Sequence, residues 1–199
     1  MNERTKHIIG KILKHEGEGW NYEEGSYRGI MRKTYAKFQR ETGETLPHDQ
    51  LSEQQSDVVY AFYEWYIEKA KMDQLPKYLQ YLHADFAVNA GRSSATKVIQ
   101  WLVGTLADGV WGAKTERAVA KFFSEDREDT QKPDFKNKVI AYYDCAKRIY
   151  YRGLAAQSEK FKRYLKGWLN RCDQVLAATK DCNEALNITG DAGTAGDES

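Results

Sequence analysis

Apolar residues recur three and four positions apart from Ile8 through Val175, and alternating β-branched runs are almost absent. That spacing lines one face of a helix. Prolines stand only at 47, 76 and 133, where they interrupt or bound the periodic segments. The chain is therefore expected to be all-α. After an opening helix, Arg32 to Glu41 forms a second, closed by Gly43, and a connection through Pro47 leads to a long helix from Leu51 to Lys71. Its inner face carries Val58, Val59, Phe62, Tyr63 and Tyr66, with Trp65 on the flank. Gln74-Leu75-Pro76 breaks the chain before a helix through Tyr78, Leu79, Leu82 and Phe86. Val98, Ile99, Trp101 and Leu102 pattern a helix ending near Gly104, and Thr115 to Phe123 resumes helix. Residues 124–133 are charged and poor in apolar side chains, as a solvated linker is. Asp134 to Leu154 is a long helix with Val139, Ile140, Tyr143, Ile149 and Tyr150 as contacts. Ser158 caps a final helix carrying Phe161, Tyr164, Leu165, Trp168, Leu169 and Val175 on one side.

The opening helix holds the most informative position. Its stripe of Ile8, Ile9, Ile12 and Leu13, continued one turn, lands on Glu16, just before Gly17 and Gly19 stop the helix. A carboxylate there would have a raised pKa for two reasons: apolar surroundings disfavour its charge, and the negative end of the helix dipole repels it. A carboxylic acid kept protonated near neutral pH is what glycoside hydrolysis needs to protonate a leaving oxygen. Periodicity alone equally allows a helix that frays before Glu16 and leaves the side chain solvated.

His15-Glu16-Gly17, Gly19-Trp20-Asn21 and Gly25-Ser26-Tyr27-Arg28-Gly29-Ile30 resemble the signature of an all-helical muramidase family. These are the phage-type endolysins and secretion-activator proteins of glycoside hydrolase family 108, in which a peptidoglycan-binding part follows the N-acetylmuramidase part. The family pattern reads H-E-G-G-[YF], a short Asn/Asp/Pro-rich loop, then G-G-x-T-N-[KR]-G-I-T. The resemblance implies a lysozyme-like helical fold, a catalytic Glu16 and an active-site loop from Asn21 to Gly29. Departures fall inside the loop: Glu18 stands where the second glycine would be, Tyr22-Glu23-Glu24 replaces the proline-containing stretch, Ser26-Tyr27 replaces Thr-Asn, and Met31 follows Gly-Ile. Candidates for a second carboxylate are Glu23 and Glu24, then Glu18. Tyr27 and Arg28, with Trp20 beside them, are candidates for orienting substrate.

Two later stretches resemble the same family. In HADFAVNAG, Asp85, Val88, Asn89 and Gly91 match. Asp85 and Asn89 either hydrogen-bond loop backbone or cap helix ends, and Asn89 is also a substrate-binding candidate. In LVGTLADGVWGAKT, the positions Asp108, Gly109, Gly112 and Thr115 match the helix–loop–helix core of peptidoglycan-binding modules. There the glycines supply backbone freedom for a tight connection, Asp108 and Thr115 act as turn and cap, and Trp111 is a candidate sugar platform. Near the end, YLKGWLNR is similar to the family's F-x-x-G-W-x-x-R, with Gly167 letting Trp168 approach a neighbouring helix.

Residues 1–92 are expected to form the catalytic part, 93–186 a helical peptidoglycan-binding part, and 187–199, rich in Gly, Asp and Ser, a disordered tail. With 30 basic and 29 acidic residues, net charge +1, no field favours nucleic acid. Cys145, Cys172 and Cys182 make neither a disulfide framework nor a zinc site, and buried reduced thiols are expected. No cofactor or metal is called for. The N-terminus lacks a signal-peptide run, and no segment could span a membrane. Synthesis in the cytoplasm is expected, with action in the periplasm or cell wall after release by a holin or export machinery, as a monomer. The implied activity is cleavage of the β-1,4 bond between N-acetylmuramic acid and N-acetylglucosamine. The alternative is a catalytically silent wall-binding or secretion-accessory protein on the same scaffold.

Overall fold

The computed structural model describes residues 1–132 and 134–187. The expected tail from 188 onward lies outside the described residues, as does the side chain of Cys182. The chain divides into two compact units, Met1–Lys69 and a second from Ala70 onward.

In the first unit, α1 (Glu3–His15) begins where Asn2 Oδ1 accepts the Thr5 N–H at 2.8 Å, satisfying one of the helix's orphan donors. Ile8, Ile9, Ile12 and Leu13 are buried, as their spacing requires, and face α3 (Ser56–Lys69). Between α1 and α2 (Arg32–Thr42) lies a three-stranded antiparallel sheet: β1 (Trp20–Asn21), β2 (Ser26–Tyr27) and β3 (Ile30–Met31), with Trp20 opposite Tyr27 and Tyr27 opposite Ile30. Strands of two residues carry no period, so the all-helical expectation missed them. Gly43 ends α2 as expected.

The long helix starts at Ser56 rather than Leu51. Two 3-10 turns, His48–Gln50 and Glu53–Gln55, precede it, and Leu51 between them is buried. Trp65, placed on the flank by its spacing, is buried instead. Its indole N–H donates to Glu41 at 3.0 Å, and Glu41 pairs with Lys69 at 2.8 Å. Val58 and Tyr66 are only half-buried, and Ile67 takes an inner position.

The second unit is built on α4 (Lys77–Ala90), whose residues from Leu79 to Ala87 are buried apart from Gln80. A helix apolar nearly all round belongs inside a protein. It packs against α5 (Arg92–Leu102), α7 (Phe135–Gln157) and α9 (Leu165–Asn187). α6 (Ala113–Phe122) and the one-turn α8 (Glu159–Lys162) complete the described helices. Asp85 sits inside α4, so it neither caps a helix nor holds a loop. It accepts two hydrogen bonds from Arg171, at 3.0 and 2.8 Å, and lies 4.0 Å from Lys147 Nζ.

Other expectations change here. Ile149 is exposed, and Tyr151, two residues on, is the buried side chain. Cys145 is exposed, whereas Cys172 is buried as expected. Ser158 caps α8, accepting from Lys160 N–H at 3.2 Å, but Phe161 and Tyr164 remain exposed. Trp168 stacks on Tyr151, ring centroids 5.1 Å apart, while Gly167 faces open space, so its small size is not what permits the contact. The linker is a folded loop. Arg127 donates to the Phe122 carbonyl at 3.0 Å, and Thr130 Oγ1 donates to the Ser124 and Arg127 carbonyls.

Candidate active site

α1 delivers Glu16 to its C-terminal end, where the residue is half-buried. The turn between β2 and β3 meets it there. Arg28 and Gly29 both adopt left-handed backbone, with φ of 47° and 77°, a conformation costly for Arg and free for Gly. Gly29 is needed for a second reason. A Cβ at this position would collide with Glu16 Oε2 and come within 3.2 Å of both Glu16 Cδ and the Tyr63 hydroxyl. Tyr63, from α3, donates its hydroxyl to the Arg28 carbonyl at 2.6 Å. The Arg28 N–H donates to the Gly19 carbonyl at 2.9 Å. The glutamate at the helix end, the strained turn and the buried tyrosine thus share one small volume.

Beside them lies a cavity of about 130 Å³ lined by Glu18, Tyr27, Arg28, Ser52, Glu53 and Ser56 among others. Burial pushes the Tyr27 phenol up, with Arg28 opposing. The buried Arg28 Nε has no hydrogen-bond partner among the described residues. Glu23 and Glu24 are exposed in the turn joining β1 to β2, where the Glu24 N–H donates to Asn21 Oδ1 at 3.2 Å. Trp20 works structurally as well: its N–H donates to the Leu51 carbonyl at 3.1 Å, and its ring meets Tyr27 at 5.5 Å and His48 at 5.3 Å. His48 in turn donates from Nε2 to the Ile30 carbonyl at 2.7 Å. Tyr63, His48 and Leu51 were not singled out as site residues. Tyr63 lies 35 residues from Arg28, and no local signal joins them.

Asn89 and Trp111 belong to the second unit, where their polar groups are engaged. Asn89 donates to the Tyr151 hydroxyl at 2.8 Å. Trp111, half-buried, donates to Gln74 at 2.9 Å and meets His83 edge-on. The matched turn there is organised by a residue the motif omits. Buried Gln100 donates to Asp108 Oδ1 at 2.8 Å, the Val110 carbonyl at 3.0 Å and Thr115 Oγ1 at 3.0 Å, and accepts from the Gly109 N–H at 2.8 Å. The Val110 N–H, and after it the Gln100 amide, hold the Asp108 carboxyl below its usual range. Gly109, at φ 78°, presses against Ser93 and has no room for a side chain. Gly112 is extended, φ −129°, and open, so any residue would fit its backbone. Among the described residues no three His, Cys, Asp or Glu side chains gather as a metal site, and no helix is long and apolar enough to cross a membrane.

A small sheet beside a helix that ends in a glutamate, joined to further helices, is a lysozyme-like architecture. Residues 9–91 match the family described as Glycosyl hydrolase 108, and residues 94–173 match the one described as Predicted Peptidoglycan domain. The chain is therefore similar to a glycosyl hydrolase 108 domain followed by a peptidoglycan domain. In fold it is similar to the structure of SagA from Brucella abortus, with TM-score 0.64 and 23% identity, covering 96% of this chain and 98% of that one. No curated protein matches the chain significantly. The two family matches meet between residues 91 and 94, whereas the compact units meet at Lys69 and Ala70. α4 thus belongs by sequence to the first family and by packing to the second unit.

Proposed function

We propose that this chain is an N-acetylmuramidase that cleaves the β-1,4 bond between N-acetylmuramic acid and N-acetylglucosamine in peptidoglycan. The observation that carries the reading is the seat of Glu16: half-buried at the end of α1, its carboxyl group fills the space a side chain on Gly29 would take. Glu16 acts as general acid toward the leaving oxygen. Glu18 on the cavity wall and Glu23 and Glu24 at the hairpin turn are the carboxylates the same unit offers as a second group. Separation from Glu16 decides whether that group activates water or attacks the sugar. Arg28 Nε and Tyr27 orient the substrate from the cavity. Hydrolysis belongs to residues 1–92 and wall binding to 93–186, a division supported by the family matches at residues 9–91 and 94–173. The protein works as a monomer in the periplasm or wall, after release by a holin or export machinery.

The test is the chemical identity of the product. Purified sacculi are digested, the new ends reduced with borohydride, and the sugars separated by mass. Reduced muramic acid at the new ends is the expected result. Reduced glucosamine would contradict the bond assignment. Sacculi that bind the protein and gain no ends would favour the silent wall-binding reading, which the altered loop at Glu18 and Ser26-Tyr27 would then explain.

A further inference from the structure

The second unit contains a groove that hydrolysis does not use. Its volume is about 450 Å³, within the roughly 300–1,000 Å³ typical of small-molecule sites. Trp101 of α5 and Tyr142 of α7 line it, 48% and 47% exposed. Phe122 and Phe135, rings 5.9 Å apart, line it too. The other four tryptophans have their rings engaged: Trp20, Trp65 and Trp111 donate their N–H groups, and Trp168 stacks on Tyr151. Trp101 has neither a ring neighbour nor a partner for its N–H among the described residues. A large amphipathic ring left open in a concavity is suited to stack on a flat apolar ligand face and donate one hydrogen bond.

The rim indicates which ligand. Arg127 is held over the Phe122 ring at 4.8 Å and pairs with Asp129 at 3.2 Å, which also takes Lys132 at 3.0 Å. Lys138 pairs with Asp134 at 2.5 Å. Every rim cation already has a carboxylate. A strongly anionic ligand would have to break these pairs, whereas a neutral polyhydroxyl ligand can use their spare donors and lone pairs. The aromatic walls and the neutralised rim together select a saccharide over an acidic stem peptide.

We infer that this groove binds N-acetylhexosamine rings of a glycan strand, apolar ring faces against Trp101 and Tyr142, hydroxyl and acetamido groups against the paired rim. The inference rests on the peptidoglycan reading above and locates its wall-binding site, since the groove lies inside residues 94–173 matched to the peptidoglycan domain. In the full chain carrying Glu16→Gln, affinity is measured for wall glycan strands whose stem peptides have been removed by an amidase. Trp101→Ala and Tyr142→Ala each raise Kd about tenfold, while Trp101→Phe, which keeps a ring, retains most of the affinity. In the otherwise unsubstituted chain the same changes leave turnover of a soluble tetrasaccharide unaltered. Unchanged affinity in both alanine variants overturns the assignment, as does binding that vanishes from the Glu16→Gln chain once the peptides are stripped. Strand binding lost with Trp101 in a protein that releases no sugar from sacculi supports the groove and contradicts the hydrolase reading, so the two failures are distinguishable.

Discussion

The two units differ in where their strained and half-exposed polar groups sit. In the second, Asp85 is 1% exposed and held by Arg171 and Lys147, and Gln100 exhausts its amide on four partners. Such groups hold helices in register, because a buried charge or amide tolerates only the arrangement that satisfies it. In the first unit the glutamate at the end of α1 stays half-exposed, the turn beside it is strained at Arg28, and a buried guanidinium nitrogen has no hydrogen-bond partner among the described residues. Strain and unspent donors concentrate where a protein acts on something else. The second unit also leaves Asp144 Oδ1 and Lys147 Nζ without a hydrogen-bond partner among the described residues, but inside ion pairs with Arg148 and Asp85, whereas the strained turn and the half-exposed carboxyl of the first unit lie together at the proposed site.

Substitutions can break that contrast, beginning with the largest effect. Asp85→Ala removes the counter-ion of buried Lys147 and two hydrogen bonds from half-buried Arg171, and should cost about 3–5 kcal/mol of stability, read as a lowered denaturation midpoint. A small change would show the network to be incidental. Next comes pH. His83 is fully buried, donates to the Ala70 carbonyl and accepts from the Tyr143 hydroxyl, and burial lowers its pKa from 6.5 to about 4. Between those values the unfolded chain binds more protons. Its contribution is therefore complete above pH 6.5 and is lost as pH falls towards 4, roughly 3 kcal/mol in all. Urea midpoints at pH 7 and pH 5 would show the slope, and His83→Gln should flatten it.

Within the first unit the order of effects reverses, activity falling more than stability. Gly29→Ala forces a Cβ against the Glu16 carboxyl at a backbone angle that only Gly adopts freely. Turnover should drop about 100-fold, with a stability loss of about 1–2 kcal/mol. Equal activity would mean the close approach is unimportant. Tyr63→Phe removes the hydroxyl that donates to the Arg28 carbonyl. It should cost about 1 kcal/mol and slow turnover several-fold, measurable against the parent on the same sacculi.

The helices were legible because each buries a stripe or face long enough to show a period; Ile8 to Leu13 is the clearest case. Glu16 was legible for the same reason, as the next member of that stripe. The sheet was not, since two residues per strand carry no alternation. Tyr63 and Gln100 were missed because their partners lie 35 and up to 15 residues away, and sequence spacing reports only neighbours on one element. Residues 124–133 read as solvated from their charges, and Arg127, Asp129 and Lys132 are indeed partly exposed, but composition does not show that these charges pair among themselves and line the groove. Trp101 sits on a helical stripe with Val98 and Ile99, and only the structure shows that it faces outward.

The proposed hydrolysis depends on one side chain, Glu16. Turnover of purified sacculi by the parent and by Glu16→Gln, at equal sacculus binding and equal melting temperature, tests it most directly. A loss of about a thousandfold or more is predicted, in line with removal of a general acid. A variant that retains turnover within tenfold of the parent would contradict the assignment of Glu16 as the proton donor.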